Sequence, residues 1–206
     1  MKTAALLLAA TATALGATPI AALAEATLQP DQIPAGTYVI DSKETQLRYA
    51  TLHMGFTQFW GVFPDATGTL TIDPKNLGAT KLSVKAPVSH LETTNRELNG
   101  ELLSDEFFSE AKFSSIRFVS TGVTRTGPRT AKVAGDLTIR GVTRPVVLDA
   151  TFNGAGPNAF SKVTTLGFSA HTTVKRSDFG LGKYVPIVSD ETEVSISAAF
   201  ELKPAG

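Results

Sequence analysis

Few side chains of this 206-residue chain have the types and spacing that catalysis or metal binding requires. The three histidines, His53, His90 and His171, form neither an H-x-x-H nor an H-E-x-x-H pair, so their spacing does not predict a zinc site. The chain has no cysteine, which excludes thiolate catalysis, and it lacks the G-x-S-x-G motif of serine hydrolases. We therefore expect no enzyme, no metal site and no resident cofactor.

One arginine lies where it could bind an anion. Counting by twos from Phe168 through Val174 places Arg176 on the inner face of a predicted strand, at its end. A guanidinium at that position can hold a phosphate or a quinone oxygen with its forked donors. The alternative, which we favour, is a structural role in which Arg176 pairs with Asp178 or with the backbone of the adjacent corner.

Such positions can be assigned because apolar and polar residues alternate along most of the chain. The stretch 135–148 is an example, since Leu137 and Ile139 alternate with polar residues. Gly141 and Pro145 then interrupt the pattern before it resumes, which predicts two strands joined by a corner of four or five residues. The same alternation predicts further strands over residues 38–41, 47–53, 56–63, 67–73, 81–89, 113–123, 163–174 and 193–202. This number of short strands predicts an antiparallel all-β barrel or sandwich.

One segment departs from the alternation. Residues 95–103 carry apolar residues at helical spacing, which predicts a short amphipathic helix. Ser104 is a suitable N-cap for a second helical turn because two acidic residues follow it at the positive end of the helix dipole. A helical insertion is therefore expected around residues 95–111. Its two phenylalanines, Phe107 and Phe108, either cover one end of a barrel or fill its core.

The amino terminus predicts export. A lysine precedes an apolar run over residues 4–17, and the small-x-small pattern Ala-Leu-Ala follows, as in a secretory signal peptide. We expect a signal peptide over residues 1–24, cleaved after Ala24, and a periplasmic or secreted protein. A flexible lead-in over residues 25–35 and a single domain over residues 36–203 would follow. The formal net charge of zero provides no basic surface for nucleic acid.

The stretch 135–148, with the order G-x-L-T-I-x-G-V-T-R-P-V, resembles the characteristic hairpin of the YceI-like family. Three further blocks are similar to that family and occur in the same order. Residues 47–63 contain L-x-Y-x-T-x-H-M-G-F-T and a later G-x-F, residues 102–120 contain L-x-S-D-E-F-F and F-x-x-I-x-F-x-S, and residues 175–180 read K-R-S-D-F-G. Together these blocks span nearly the whole predicted domain.

The chain departs from the family in the helical segment. Residues 98–102 read Leu-Asn-Gly-Glu-Leu where the family commonly has Arg-Asp-x-His-Leu, and Ser114 replaces a common proline. Ligand contacts of the family therefore transfer least directly to this segment.

The resemblance implies an extended, antiparallel, lipocalin-like barrel of about eight strands, whose apolar tunnel binds a long isoprenoid chain such as a quinone tail or a polyprenyl phosphate. The side chains expected to line the tunnel are Leu47, Tyr49, His53, Phe56, Phe63, Phe107, Phe108, Ile116, Phe118, Leu137, Ile139, Phe168, Val174, Arg176, Phe179 and Phe200. The implied partner is a long-chain isoprenoid lipid, and such a role is compatible with transient membrane contact and with a homodimer. Two alternatives stay open: a barrel that binds a fatty acid or fatty amide, and a non-binding periplasmic stress or structural protein whose core these side chains fill.

Overall fold

Stretches in which apolar and polar residues alternate form strands throughout the computed structural model, which describes residues 29–204. The predicted signal peptide and the first part of the lead-in lie outside the described residues. The strands are β1 (Gly36–Ile40), β2 (Gln46–His53), β3 (Thr57–Phe63), β4 (Thr67–Ile72), β5 (Lys81–Pro87), β6 (Glu92–Thr93), β7 (Ser115–Arg125), β8 (Thr130–Ile139), β9 (Val142–Pro157), β10 (Thr164–Lys175) and β11 (Val188–Leu202). Helix α1 spans Arg96–Leu103, and short 3-10 turns lie at Pro30–Gln32, Leu77–Ala79, Val88–His90 and Arg176–Phe179.

The strands close into an eight-stranded antiparallel barrel. The order around it is β1, β4, β5, β7, β8, β9, β10 and β11, and β11 pairs back with β1, where Ile40 lies opposite Phe200. The other half of β11 pairs with β2, where Tyr49 lies opposite Val194, so β1 and β2 together occupy one position of the barrel. In the same way β3 and β4 share the next position, and β5 and β6 share the one after it. The structure confirms the predicted barrel and not the sandwich.

Helix α1 packs against β6, near the point where the chain leaves the β3–β6 pairing. It begins after Asn95, whose side-chain oxygen accepts hydrogen bonds from the N–H groups of Glu97 and Leu98 at 3.0 and 3.3 Å. Ser104 ends this helix, because its hydroxyl donates to the carbonyl oxygen of Glu101 at 2.6 Å. The prediction that Ser104 starts a second helix was therefore wrong.

The turns after α1 direct two phenylalanines into the barrel. Ser109 adopts a left-handed conformation (φ 50°), which a continuing helix does not allow, and its N–H donates to the carbonyl oxygen of Ser104 at 2.8 Å. Phe107 and Phe108 are buried as a result, and Phe108 packs edge to face with Phe63 at 5.6 Å. Both phenylalanines belong to the buried core, which is one of their two predicted roles.

The hairpin between β8 and β9 is tighter than predicted. Arg140 and Gly141 both have positive φ angles (51° and 74°), and Ile139 pairs directly with Val142, so two residues form the turn. This is the geometry that joins antiparallel strands without splaying them. Pro145 lies within β9, opposite a residue of β8, and does not mark the end of a loop.

The guanidinium of Arg140 connects this hairpin to two distant segments. It donates to the carbonyl oxygen of Gly180 at 2.6 Å and to that of Asp105 at 2.7 Å. The hairpin, the segment after α1 and the turn that follows β10 are therefore fixed to one another at the same end of the barrel.

The lead-in is ordered where the structure describes it. Pro30–Gln32 forms a 3-10 turn, and Ile33 is 5% exposed because it packs into the core at the barrel end where β1 begins. The hydroxyl of Tyr38 donates to the carbonyl oxygen of Pro34 at 2.6 Å and fixes the approach to β1. Part of the segment predicted as a flexible lead-in, residues 30–33, is therefore packed against the barrel.

Candidate ligand-binding cavity

The barrel encloses an apolar cavity of about 820 Å³. Its wall is built by inward side chains that alternate along each strand, as the period of two requires. On the four consecutive strands β8 to β11 the wall residues include Val133, Leu137, Ile139, Val146, Leu148, Ala150, Phe152, Phe168, Ala170, Val174, Val194, Ile196, Ala198 and Phe200. Side chains from opposite walls do not fill the centre, which argues against a barrel whose core is packed solid.

The structure brings every predicted tunnel residue except Phe56 to the cavity wall. Those at the wall are Leu47, Tyr49, His53, Phe63, Phe107, Phe108, Ile116, Phe118, Leu137, Ile139, Phe168, Val174, Arg176, Phe179 and Phe200. Phe56 lies in the turn between β2 and β3 and is 84% exposed. Met54 and Gly55 have positive φ angles there (54° and 73°), and this tight reversal directs Phe56 away from the barrel interior. The inclusion of Phe56 among the wall residues was therefore wrong.

Two aromatic wall residues lie over glycines of the neighbouring strand. The ring of Tyr49 covers Gly61, where an added Cβ would overlap the ring and lie 2.5 Å from its hydroxyl oxygen. The ring of Phe118 covers Gly135 in the same way, with Cε2 at 2.7 Å from such a Cβ. The glycines let both rings lie flat against the wall and leave the centre of the cavity open.

Burial changes the chemistry of Tyr49. It raises the pKa of the phenol well above its ordinary value, because the apolar surroundings disfavour the phenolate. Its ring also packs against Phe63, with the ring centres 5.7 Å apart. Tyr49 therefore presents a neutral hydroxyl to the cavity at neutral pH.

Arg176 lies at the wall, but the backbone occupies its donors. Nε donates to Ser189 O at 2.8 Å, Nη2 to Val188 O at 2.9 Å, and Nη1 to Lys183 O at 2.7 Å and to Leu181 O. Burial lowers the pKa of Arg176 from its ordinary value. The structural role with the corner backbone is therefore observed, and the guanidinium has little capacity left for a ligand's phosphate.

Sequence reasoning missed a charged cluster at the α1 end of the cavity. Lys183 donates to Glu101 at 3.0 Å and also to Glu106, while the hydroxyl of Tyr184 donates to Glu101 at 2.9 Å. These hydrogen bonds lower the pKa of Glu101, first through Lys183 and then through Tyr184, and they raise that of Lys183. Lys183, Tyr184 and Glu101 belong to the cavity lining. No local pattern could have paired residues this far apart in sequence.

At the opposite end, Arg125 and Arg129 border the cavity. Arg129 donates to the carbonyl oxygens of Phe152 and Asn153, both at 2.9 Å. Counting by twos along β7 from Phe118 places Arg125 on the outer face. An irregularity after Ser120 shifts the register, so the alternation changes phase and Arg125 borders the interior.

Two buried hydroxyls of the cavity lining lack a hydrogen-bond partner. They are the Oγ1 atoms of Thr80, before β5, and Thr192, on β11. Buried polar groups are usually satisfied, and one left unpaired costs about 1–3 kcal/mol. The barrel wall therefore contains two hydroxyls whose burial no hydrogen bond offsets.

Neither metal binding nor a transmembrane helix is indicated by the described part of the chain. Within residues 29–204, no group of three or more His, Cys, Asp or Glu side chains could hold a metal ion. In the same range no helix has the length and apolar character to cross a membrane.

An eight-stranded antiparallel barrel closed around an apolar cavity is the architecture of small β-barrels that can hold a single ligand. The chain belongs to the YceI-like domain family, whose model matches residues 38–200. A UPF0312 protein of Pseudomonas savastanoi pv. phaseolicola is 38% identical over 163 residues, which cover 78% of this chain and 84% of the relative. The resemblance inferred from the four sequence blocks is thereby confirmed.

Solved structures share the fold. BcnA of Burkholderia cenocepacia superimposes with a TM-score of 0.71 at 21% identity, covering 78% of this chain and 98% of BcnA. A polyisoprenoid binding domain from Saccharophagus degradans superimposes with a TM-score of 0.60 at 13% identity, covering 82% of this chain and all of that domain (100%). At these identities the similarity establishes the architecture.

Proposed function

We propose that this protein is exported and holds a polyisoprenoid amphiphile in its barrel, so that the lipid can be sequestered or carried through an aqueous compartment. The observation that carries the proposal is the apolar cavity of about 820 Å³. Ligand pockets typically have volumes of about 300–1,000 Å³, so the cavity has the size of a binding site. The similarity in fold to a polyisoprenoid binding domain supports the choice of ligand class.

The volume sets the length of chain that the cavity can hold. If a methylene-sized group needs about the 30 Å³ that a water molecule occupies in the liquid, the cavity accommodates roughly 27 carbon atoms, or about five isoprene units. A longer lipid would extend through one mouth.

The composition of the wall provides the affinity. Each methylene that leaves water contributes about 0.8 kcal/mol, so one isoprene unit contributes roughly 3–4 kcal/mol before the costs of association. Phe168, for example, offers a ring that already packs edge to face with Phe152 at 5.6 Å and with Phe200 at 6.1 Å. Several units could therefore bind tightly with few polar contacts.

The polar end of the ligand is best accommodated at a mouth. Arg176 donates to carbonyl oxygens, and Lys183 is paired with two carboxylates, so neither cation is available to a buried phosphate. A phosphate head group would stay in water at the barrel end. An uncharged quinone could enter further, because it needs no cation and the hydroxyl of Tyr49, a residue of the cavity lining, stays neutral.

The direct test is extraction and mass spectrometry of the lipids that co-purify with the mature protein under native conditions. We expect a polyisoprenoid in stoichiometric amount. A fatty acid or fatty amide would support the alternative cargo, and an absence of lipid, together with failure to take up added farnesol, would contradict the proposal.

A variant of the wall tests the location. Phe168→Arg places a charge in the cavity and should abolish lipid retention. Phe160→Arg is the matched control, because Phe160 is 96% exposed in the loop between β9 and β10 and should retain lipid as the wild type does. Unchanged retention in a folded Phe168→Arg variant would show that the lipid lies elsewhere.

A further inference from the structure

Exposed apolar side chains collect at the barrel end where β2 finishes. Seven of them form what we call the apolar rim: Leu52, Met54, Phe56, Trp60, Tyr184, Val185 and Ile187. Their exposed fractions range from 37% for Val185 to 84% for Phe56. An exposed apolar cluster of this kind usually marks an interaction surface.

Hydrogen bonds join the two segments of the rim into one surface. The N–H of Met54, in the turn after β2, donates to the carbonyl oxygen of Ile187 at 3.0 Å. One residue earlier on β2, His53 pairs with Val188. The rim is therefore a surface made by the end of β2, the first part of β3, the turn between them and the loop over residues 184–187.

The rim borders the opening of the cavity. His53, Tyr184 and Val188 line the cavity, and each is itself a rim residue or the immediate neighbour of one. The rim therefore adjoins the cavity opening, with the paired charges of Lys183 and Glu101 at one side of it. Apolar side chains beside an opening are expected where cargo passes between an apolar phase and the interior.

The arrangement of the rim favours a lipid bilayer over a second copy of the chain. Phe56 lies at the tip of a tight turn, and a Cβ on the adjacent Gly55 would contact no atom within 4 Å, so the tip is convex and open. Trp60, on β3, and Tyr184, on the adjoining loop, are half exposed, as are the aromatic residues that flank inserted side chains at a membrane surface. A flat and self-complementary patch would be expected for a dimer.

The charges beside the rim indicate how it would dock. Lys183 is paired with Glu101 and Glu106, and the amide of Gln58 donates to Glu193 at 3.3 Å. Lys183, the basic residue next to Tyr184 of the rim, is therefore already neutralised and offers little attraction to anionic lipids. Insertion of apolar side chains, which does not depend on lipid charge, remains as the driving force.

We propose that the apolar rim docks on a lipid bilayer and places the cavity opening against it. This inference rests on the proposed lipid-binding function, because the bilayer is the phase from which a polyisoprenoid would enter the barrel.

Trp60 provides the assay, since it is the one tryptophan of the whole chain. Adding phosphatidylcholine vesicles to the mature protein should shift its emission to shorter wavelength, and brominated phosphatidylcholine should quench it. Partitioning should change less than twofold when salt is raised from about 0.05 to about 0.5 M, because apolar insertion is not screened. A tenfold loss over that range would contradict the apolar mechanism.

The double variant Phe56→Glu/Ile187→Asp should lower partitioning by about tenfold or more, since both charges would have to enter the interface. Phe160→Glu, which changes an even more exposed phenylalanine outside the rim, should leave partitioning unchanged. Equal partitioning of the double variant and the wild type would overturn the proposal. So would a lipid-free dimer, detected by sedimentation, that the double variant dissociates.

Farnesol uptake without vesicles separates docking from cargo binding. Phe56 and Ile187 do not line the cavity, so their double variant should bind farnesol as the wild type does in native mass spectrometry. Phe168→Arg should show the converse, with docking kept and farnesol lost. Docking by a wild type that takes up no farnesol would defeat the proposed function alone, whereas farnesol uptake without docking would defeat the docking inference alone.

Discussion

Gly61→Ala offers a sharp test of how the cavity wall is built. The new Cβ would lie 2.5 Å from the hydroxyl oxygen of Tyr49 and closer still to its ring, whereas non-bonded carbon atoms rest at about 3.5–4.0 Å. The ring must therefore move by about 1 Å or more. Because the cavity lies on its other side, we expect Tyr49 to swing inward.

The structure gives the size of the effect. An overpacked site typically loses about 1–3 kcal/mol of stability, and a 150–250-residue domain loses about 2–4 °C in Tm per kcal/mol. An inward ring would also displace one or two methylenes of cargo. At about 0.8 kcal/mol each, this corresponds to roughly fourfold to fifteenfold weaker binding of farnesol.

A double-mutant cycle isolates the contact. In a Tyr49→Leu background the added Cβ meets no ring, so Gly61→Ala should cost less than about 0.5 kcal/mol. Gly122→Ala is the control in the wild type, because a Cβ at Gly122 would contact nothing within 4 Å. Thermal melts and farnesol titration supply both readouts. If Gly61→Ala costs the same in both backgrounds, the stacking of Tyr49 over Gly61 does not shape the wall.

Two further predictions concern the polar groups at the α1 end. Arg176→Met should lower the unfolding free energy, measured by chemical denaturation, by about 3 kcal/mol or more, because it leaves carbonyl oxygens unpaired, some of them buried. A selective loss of binding to a phosphate-headed ligand, without destabilisation, would contradict this structural role. The hydrogen bonds from Lys183 and Tyr184 keep the pKa of Glu101 below its ordinary value, so its stabilisation is present above the unfolded-state pKa and is lost as pH falls through the lower folded-state pKa. The Tm advantage of the wild type over Glu101→Gln should therefore shrink between about pH 5 and pH 3, and an advantage that is constant with pH would exclude this linkage.

The strands and most of the cavity wall could be predicted from sequence because inward positions recur every second residue. The prediction failed where that period is broken. The turn at Met54–Gly55 excludes Phe56 from the wall, and the irregularity in β7 brings Arg125 to it. The left-handed conformations of Met54 and Gly55 and the irregularity after Ser120 cannot be recognised from the pattern of apolar and polar residues.

Contacts between distant segments were also beyond sequence reasoning. The blocks that resemble the YceI-like family are separated by tens of residues, yet Arg140 of one block donates to carbonyl oxygens of two others, at Asp105 and Gly180. A side chain that bonds backbone carbonyls places no demand on the residue types it meets. Its partners therefore carry no signal in the sequence.

The two ends of the barrel differ in what holds them together. At the end that contains β1, the strand pairings form a complete circuit. At the other end, β6 pairs only with β3 within the described residues, so the circuit is open there. Helix α1, with Phe107 and Phe108, follows β6 in the chain at this open sector. Parting that sector requires side-chain rotations and a shift of one short helix, while the β-ladders stay intact. For the proposed lipid, entry and exit would then need only local loop motion and no unfolding of the barrel.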